Sequence, residues 1–472
     1  MVFSSSIFLF IFLPIFLGVY FLTPARFRSF TILIGSYAFY AWWRVDFLAL
    51  FVGVTLWNYF VGRAIYSALD NNPKRAKSLL TIGIIGDLAT LGYFKYANFG
   101  VHNLNELLIS LGSEPLSLAH VILPIGISFY IFQAISYLID VYRKDTPPSR
   151  RFIDFAAFIA LFPQLIAGPV LRYKDLASQF ENRTHSWALF GSGCFLFMHG
   201  FAKKVLIADN VAPLADAAFS GQAMTMLDSW IGIGAYTIQL YFDFSGYSDM
   251  AIGLGLMMGF HFIKNFNQPY ISQSITEFWR RWHISLSTWL RDYLYISLGG
   301  NRNGTFKTYR NLFLTMLLGG LWHGANWTFI VWGAWHGAIL AFERYTGLAD
   351  YKGFSILRWL LTLLLVMIGW VFFRANDIAH AFVILQAMFT PDGLGLSAEF
   401  GFDVTGWALT LLWVGVIIAL VQGMRQHISW LEQSLTSKGV VWVGNLLRLP
   451  VFLLALSSLI ASSYSPFLYF QF

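Results

Sequence analysis

Residues 311–342 read NLFLTMLLGGLWHGANWTFIVWGAWHGAILAF, and the interpretation of the chain starts from this stretch. It contains no Asp, Glu, Lys or Arg, and it is longer than the roughly 20 apolar residues that a bilayer-spanning helix needs. It also carries two histidines, His323 and His336, each within the letters Trp-His-Gly-Ala. Ionisable side chains at membrane depth are rare and face protein or water, so both histidines are candidates for function.

The two imidazoles lie 13 positions apart, which at about 100° per residue directs them to different sides of a straight helix. They can share surroundings only if the helix breaks. Gly319, Gly320 and Gly324 flank His323, and they permit both a break and close backbone packing. The alternative, that each histidine only forms hydrogen bonds with neighbouring helices, stays open for both residues.

The composition is that of a membrane protein. Of 472 residues, 57% are hydrophobic and 12% are charged, whereas a soluble domain has about 25% charged residues. We therefore predict an all-α polytopic membrane protein with about 11 to 13 hydrophobic helices. The net charge of +7 comes from basic residues in short loops and requires no nucleic acid. The single cysteine, Cys194, excludes an internal disulfide and a cysteine cluster, and we predict no metal site.

The distribution of charge predicts loops and orientation. The apolar segment 7–22 is not read as a cleaved signal, because no Lys or Arg precedes it. Arg26 and Arg28 follow it, which places the N-terminus outside and the first loop in the cytoplasm. On the same grounds, residues 63–77 are predicted to form a cytoplasmic loop and residues 95–120 an external one.

Two further apolar segments carry signs of irregularity. In residues 152–171, Pro163 and Pro169 predict a broken or re-entrant segment lining an internal path, with a kinked helix as the alternative. In residues 230–262, Asp243 and Asp249 interrupt apolar sequence. An interruption of that helix at Gly246 would let the two carboxylates bracket a polar site, and structural pairing with an arginine is the alternative.

Residues 264–310 are the most basic stretch, and SITEFWRRWHISLSTWLRDYL within it has apolar residues at helical spacing. We predict one amphipathic helix lying in the membrane plane, with a capping box from Ser274 to Glu277 at its start. Its arginines, Arg280, Arg281 and Arg291, are candidates for binding the phosphates of a donor. Contact with anionic lipid is an equally good explanation.

The sequence has no phosphate-binding Walker loop, no GxSxG elbow, no HExxH and no CxxC pair. ATPases, serine hydrolases and zinc proteases are therefore disfavoured. An intramembrane group-transfer enzyme, a transporter with a proton-relay histidine and a scaffold for external partners stay open.

Four blocks resemble one known family. They are LLGGLWHGANWTFIVWGAWHG, YFDFSGYSDMAIGLGLMMGF, NFNQPYISQSITEFWRRWHISLSTWLRDYLYISLGGNR and LPIGISFYIFQAISYLIDVYR. They are similar to the membrane-bound O-acyltransferase family, and most closely to its bacterial members that O-acetylate alginate. The resemblance implies one membrane domain over residues 1–472, with core motifs at about 121–345. It also implies helices around a central tunnel.

The resemblance further implies roles for individual residues. His323 matches the essential histidine of the family. Asp243, Asn267 and Glu277 are candidates for its polar partner, and His336 is a candidate for contact with the tunnel or substrate. As a neutral base, a histidine suits the activation of an incoming hydroxyl. Further candidates are tryptophans that would wall the acyl path and an amide that would stabilise an oxyanion: Trp322, Trp327, Trp335 and Asn326.

The activity implied by the resemblance is transfer of an acetyl group across the bacterial inner membrane. Acetyl-CoA would be a cytoplasmic co-substrate, and no cofactor would be bound. The acetyl group would reach an exported polysaccharide such as alginate, with the help of periplasmic SGNH-hydrolase-like proteins. Direct transfer and a covalent acetyl-histidine both stay open. Transfer of D-alanine to teichoic acid is the alternative within the same family.

Overall fold

The computed structural model describes residues 2–165, 168–221, 225–350, 353–391 and 395–461, and these are helical or irregular with no strand. The all-α class is therefore confirmed. Up to residue 257 the helices are α1 Leu13–Leu22, α2 Arg28–Ala41, α3 Asp46–Leu69, α4 Pro73–Ser110, α5 Ile127–Tyr142, α6 Phe152–Ala160, α7 Phe162–Leu165, α8 Tyr173–Glu181, α9 Trp187–Ala202, α10 Asp209–Ser220 and α11 Met226–Met257.

The remaining helices are α12 Ile275–Arg281, α13 Ile284–Trp289, α14 Thr305–His323, α15 Trp327–Thr346, α16 Ile356–Arg374, α17 Ile378–Phe389, α18 Ala398–Asp403, α19 Gly406–Met424, α20 Ser429–Thr436 and α21 Lys438–Ala461. Wider π-helical turns occur at Phe8–Phe12, Lys203–Ala208 and Leu290–Tyr295. The chain divides into two compact units, one of Met1–Ser192 with Leu254–Ile263 and one of Gly193–Gly253 with Lys264–Phe472. The assignment of the whole chain to one membrane domain stays a prediction.

Four of the described helices are long and apolar enough to cross a bilayer, namely α3, α16, α19 and α21. Others are shorter or carry charged residues, as α11 does with Asp243 and Asp249. The expected number of about 11 to 13 hydrophobic helices therefore stays a prediction.

In the first unit, α3, α4 and α5 pack against one another around a buried polar pair. Asn58 on α3 donates a hydrogen bond of 2.8 Å to the Asp87 carboxylate on α4, and both side chains are buried. A buried carboxyl group without a hydrogen bond would be costly, so this contact fixes how α3 and α4 pack.

The predicted loops at 63–77 and 95–120 are wrong in their extent. Helix α3 continues to Leu69, and α4 runs from Pro73 to Ser110. These loops were predicted from the positions of charged residues alone. A charged side chain does not end a helix when it has a polar partner. Lys95, for example, donates to the Ser128 hydroxyl at 3.4 Å.

The predicted break in 152–171 is confirmed. Helix α6 ends at Ala160, and the backbone of Leu161 leaves the helical region before the single turn of α7. Pro163 lies in that turn, where its missing N–H disrupts no continuing helix. Residues 166 and 167 of the segment lie outside the described residues.

An interruption of α11 at Gly246, the condition for the two carboxylates to bracket a polar site, is absent, because α11 runs unbroken from Met226 to Met257. A Cβ atom built on Gly246 would lie 2.6 Å from the Gly200 carbonyl oxygen, and one on Gly200 would lie 2.8 Å from the Met250 nitrogen. The two glycines thus let α9 and α11 pack backbone against backbone.

The predicted single amphipathic helix at 274–294 is also wrong. It is divided into α12 and α13 at His283, whose φ of 44° lies in the left-handed region. Its aromatic side chains are buried in the protein and do not form a lipid-facing surface. The Ser274 cap is confirmed, since its hydroxyl accepts from the Glu277 N–H at 3.0 Å.

Helices α14 and α15 form a tight hairpin, which the break at 324–326 makes possible. A Cβ atom built on Gly333 would lie 2.5 Å from the Met316 carbonyl oxygen, and one on Gly337 would lie 3.0 Å from the Phe313 carbonyl oxygen. Gly320 faces Gly333 in the same way, so glycines on both helices bring the two backbones into contact.

We expect Gly320→Ala to lower the stability of the folded protein by about 1–3 kcal/mol, because the added methyl group overpacks the hairpin. The methyl carbon would collide with the Phe329 carbonyl oxygen and lie 3.0 Å from the Gly333 Cα atom. Thermal unfolding in detergent measures the effect. The matched control is Gly234→Ala on α11, where a built Cβ atom meets nothing within 4 Å. A Gly320→Ala protein as stable as this control would contradict the prediction.

Candidate functional site

His323 is the last residue of α14, directly before the break that begins at Gly324. It is 5% exposed, and three aromatic rings pack edge-to-face around its imidazole. The ring centres lie 5.0 Å from Trp322, 5.0 Å from Trp332 and 5.3 Å from Phe373. The imidazole is therefore held in a fixed orientation by an aromatic enclosure at a helix end.

His336 on α15 is completely buried in the second unit. Its ring lies 5.2 Å from that of Trp332 and 5.4 Å from that of Trp279, both edge-to-face, and parallel to Phe278 at 6.4 Å. Both histidines thus pack on Trp332, one on each helix of the hairpin. The expectation that a helix break would let them share surroundings is confirmed.

A buried carboxylate holds α12 beside α15. Glu343 accepts hydrogen bonds from the Ile275 N–H at 2.6 Å, from the Thr276 N–H at 2.8 Å and from the Thr276 hydroxyl at 2.7 Å. It therefore satisfies the free N–H groups at the start of α12 and positions Phe278 and Trp279. The sequence analysis missed Glu343, although it is the first charged residue after the uncharged stretch 311–342.

Asn326 lies in the break and caps α15. Its side-chain oxygen accepts from the Thr328 N–H at 3.1 Å, and its side-chain nitrogen donates to the Asn376 carbonyl at 2.8 Å. Of the predicted wall residues, Trp322 contacts His323, whereas Trp327 is 51% exposed. Trp335 donates its indole N–H to the Leu365 carbonyl at 2.9 Å.

Two aromatic residues of the enclosure, Trp332 and Phe373, were not predicted from the sequence. Trp332 is one of several tryptophans in the central stretch, and Phe373 belongs to a later helix. Residue type and spacing gave no signal that distinguishes these two residues from their neighbours.

Of the three candidates for a polar partner of His323, each has a clear partner elsewhere. Asp243 forms an ion pair of 3.0 Å with Lys204, and both side chains are almost fully buried. Glu277 pairs with Arg281 at 2.8 Å, and the Asn267 N–H donates to the Arg281 carbonyl at 2.8 Å. The alternative of structural pairing for Asp243 is therefore what the structure contains, with a lysine in place of the expected arginine.

Asp249, which could bracket a polar site with Asp243 only if the helix were interrupted, pairs with Lys203 at 2.6 Å. The two consecutive lysines 203 and 204 thus each neutralise one acid of α11. Lysines directly beyond an apolar segment were visible in the sequence, but their partners were not.

The arginines proposed for phosphate binding differ in exposure and in how many hydrogen bonds they already form within the protein. Arg280 is exposed, and Arg291 pairs with the neighbouring Asp292 at 2.7 Å with its side chain 63% exposed. The Arg281 guanidinium also donates to the Asn267 carbonyl at 3.2 Å and to Gln426 at 3.0 Å. Arg281 therefore already has a full set of protein partners.

Positive charge is nevertheless concentrated next to Arg281. Lys264 donates to the Asn267 side chain at 3.2 Å. Burial lowers the pKa of Lys264, Asp249 opposes this effect, and the nearby cations Arg425, Lys203 and Arg281 lower the pKa further. Such a cluster of cations attracts anionic groups.

His283 is a third buried histidine and was not singled out from the sequence. It is 1% exposed, it adopts the left-handed backbone conformation between α12 and α13, and its ring packs edge-to-face on Phe244 at 4.7 Å. A non-glycine residue with positive φ is uncommon and often marks a functional site. Neither the positive φ of His283 nor its contact with Phe244 can be read from the sequence.

Comparison with known proteins identifies the class of protein that this fold and site define. The model of the membrane-bound O-acyltransferase family matches residues 142–376, a range that includes His283, His323 and His336. The chain belongs to this family, and it is a membrane-embedded O-acyltransferase.

The relatives narrow the assignment within the family. The probable alginate O-acetylase AlgI of Pseudomonas putida is 58% identical over the full length of both chains. The probable alginate O-acetylase AlgI of Azotobacter vinelandii is 55% identical, again over the full length of both. A peptidoglycan O-acetyltransferase of Helicobacter pylori is 38% identical over 84% of this chain and 81% of its own. The sequence-based resemblance is thus confirmed.

Proposed function

We propose that this chain transfers acetyl groups from a cytoplasmic thioester, acetyl-CoA, towards alginate on the other side of the bacterial inner membrane. The observation that carries the proposal is the buried imidazole of His323, held by three aromatic rings at the break of the central hairpin. The names of these three relatives support O-acetylation, and those of the two full-length relatives support alginate as the acceptor. They favour acetyl over D-alanyl transfer, and an enzyme over a transporter or a scaffold.

The chemistry assigned to His323 is general acid–base catalysis. The neutral imidazole takes the proton of an acceptor hydroxyl while the hydroxyl oxygen attacks the carbonyl carbon of the thioester. The carbon–sulfur bond then breaks, and the imidazolium returns the proton to the leaving thiolate. The products are the acetyl ester and the free thiol, and the histidine ends in its starting state. The aromatic enclosure excludes water, which would otherwise hydrolyse the thioester.

The donor is proposed to approach from the side with concentrated positive charge. Lys264 and Arg425 contribute to that charge, and the exposed Arg280 and Arg291 stay candidates for contact with phosphates. Arg281 is a weaker candidate, since its guanidinium is held by Glu277 and Gln426. Periplasmic SGNH-hydrolase-like proteins are proposed as the partners that pass the acetyl group to the polymer.

The experiment that tests the proposal uses the purified full chain in detergent with acetyl-CoA labelled in the acetyl group. Release of free CoA that depends on a hydroxyl acceptor, with label recovered in an acetyl ester, supports the proposal. Mass spectrometry of the intact protein distinguishes direct transfer from an acetyl-histidine, because only the latter adds the mass of an acetyl group at His323. Uptake of label into vesicles without any chemical change would support a transporter and overturn the proposal.

A further inference from the structure

Three aromatic rings with polar nitrogens contact one another beside His323. Trp279, Trp332 and His336 have ring centres separated by 5.6, 5.4 and 5.2 Å, each pair edge-to-face. We call these three residues the aromatic box. Their exposed fractions are 8%, 1% and 0%, so all three rings are removed from solvent.

The ring nitrogens of the aromatic box have no hydrogen-bond partner within the described part of the chain. This holds for both indole N–H groups and for both nitrogens of His336. Burying a polar group without a partner is destabilising. A cluster of such groups in a folded protein calls for an explanation, such as a bound molecule that supplies the missing partner.

The aromatic box adjoins the proposed catalytic imidazole. Trp332 contacts both histidines, since its ring centre lies 5.2 Å from that of His336 and 5.0 Å from that of His323. Gly369 on α16 lets its backbone approach His336 closely, since a Cβ atom built there would lie 2.8 Å from the His336 Nε2 atom. A polar atom bound by the aromatic box would therefore lie next to the imidazole of His323.

We infer that the aromatic box binds the carbonyl oxygen of the acyl donor's thioester, an inference that rests on the proposed thioester donor. A carbonyl oxygen has two lone pairs and no donor, which matches two indole N–H groups that can only donate. The His336 imidazole can donate a further hydrogen bond through whichever nitrogen carries the proton. Holding the carbonyl oxygen in this way presents the thioester carbon to a hydroxyl activated by His323.

The test compares two ligands that differ in this oxygen. Acetyl-CoA carries the thioester carbonyl, and S-ethyl-CoA carries a CH₂ group in its place. Binding is measured in a His323→Ala background, which prevents turnover, by isothermal titration in detergent. With the aromatic box intact, we expect acetyl-CoA to bind about 10-fold more tightly than S-ethyl-CoA. Trp279→Phe and Trp332→Phe remove one N–H each and keep a ring, and each is expected to lower this preference about 3- to 5-fold.

Trp230→Phe is the matched control, because its indole N–H donates to the Met388 carbonyl outside the aromatic box. It is expected to keep the full preference for acetyl-CoA. His336→Ala and Gly369→Ala are expected to lower the preference as the Trp→Phe variants do, and the Trp→Phe variants decide the test if these two fail to fold.

The outcomes separate the inference from the proposed function. Equal binding of acetyl-CoA and S-ethyl-CoA to the intact aromatic box, or an equal loss of preference in Trp230→Phe, would overturn the inference alone. If neither ligand binds, the proposed donor is wrong and the inference fails with it. Acetyl transfer that survives His323→Ala, measured separately, would overturn the catalytic role of His323 and leave the proposed acetyl transfer standing.

Discussion

His323→Ala is expected to reduce acetyl transfer by about 10²- to 10⁴-fold, the range that a positioned general base contributes. The imidazole lies at the end of α14 and is held by three aromatic rings, so no neighbouring side chain of the enclosure can replace it as a base. The measurement is the rate of acetyl transfer from labelled acetyl-CoA by the purified protein. In cells, the acetyl content of the exported polymer reports the same loss.

A loss of activity is informative only if the protein still folds. His102→Ala is the matched control, since that imidazole is 72% exposed in a helix of the first unit. Both variants are expected to be recovered from detergent extracts at wild-type levels, and only His323→Ala is expected to lose transfer. Wild-type transfer by a well-folded His323→Ala protein would remove the central role assigned to this imidazole.

Lys204→Met is expected to destabilise the protein by about 3–5 kcal/mol, because it leaves a buried carboxylate without its counter-ion. The Lys204 and Asp243 side chains are 1% and 2% exposed, and the lysine also pairs with Asp209. Asp209 is 19% exposed and can be partly hydrated, whereas Asp243 cannot. The loss is measured as a lower unfolding midpoint in detergent.

A double variant tests whether the unpaired charge is the cause. Lys204→Met with Asp243→Leu removes both buried charges, and it is expected to recover most of the stability, as replacement of buried ion pairs by apolar residues often does. The exposed pair of Lys144 and Asp70, joined at 2.6 Å, is the control, and Lys144→Met is expected to leave the unfolding midpoint nearly unchanged. Equal losses for Lys204→Met and for the double variant would show that the ion pair is not the cause.

The sequence located the break in the central stretch because its signals are local. The glycines around His323 permit a break in this long uncharged run, and the structure has one at 324–326. The Ser274 cap and the broken segment at Pro163 were predicted for the same reason. In each case the residues that determine the local backbone conformation are neighbours in the sequence.

The sequence failed where the deciding contact comes from a distant segment. A break at Gly246 was considered from the sequence, but Gly200 lies against this glycine, which serves close packing of α9 and α11. Asp243 was considered as a partner for His323, but Lys204 neutralises it. Trp332 joins the two histidines through tertiary packing that hydrophobic periodicity does not encode.

The glycine contacts between α14 and α15 bear on which part of the His323 enclosure can be changed without disturbing the fold. With the backbones in contact at Gly320 and Gly333, the two helices of the hairpin are held closely together. Of the three rings around His323, Trp322 and Trp332 belong to these helices, whereas Phe373 belongs to α16. We therefore expect the size of the side chain at position 373 to be adjustable with the least disturbance of the hairpin.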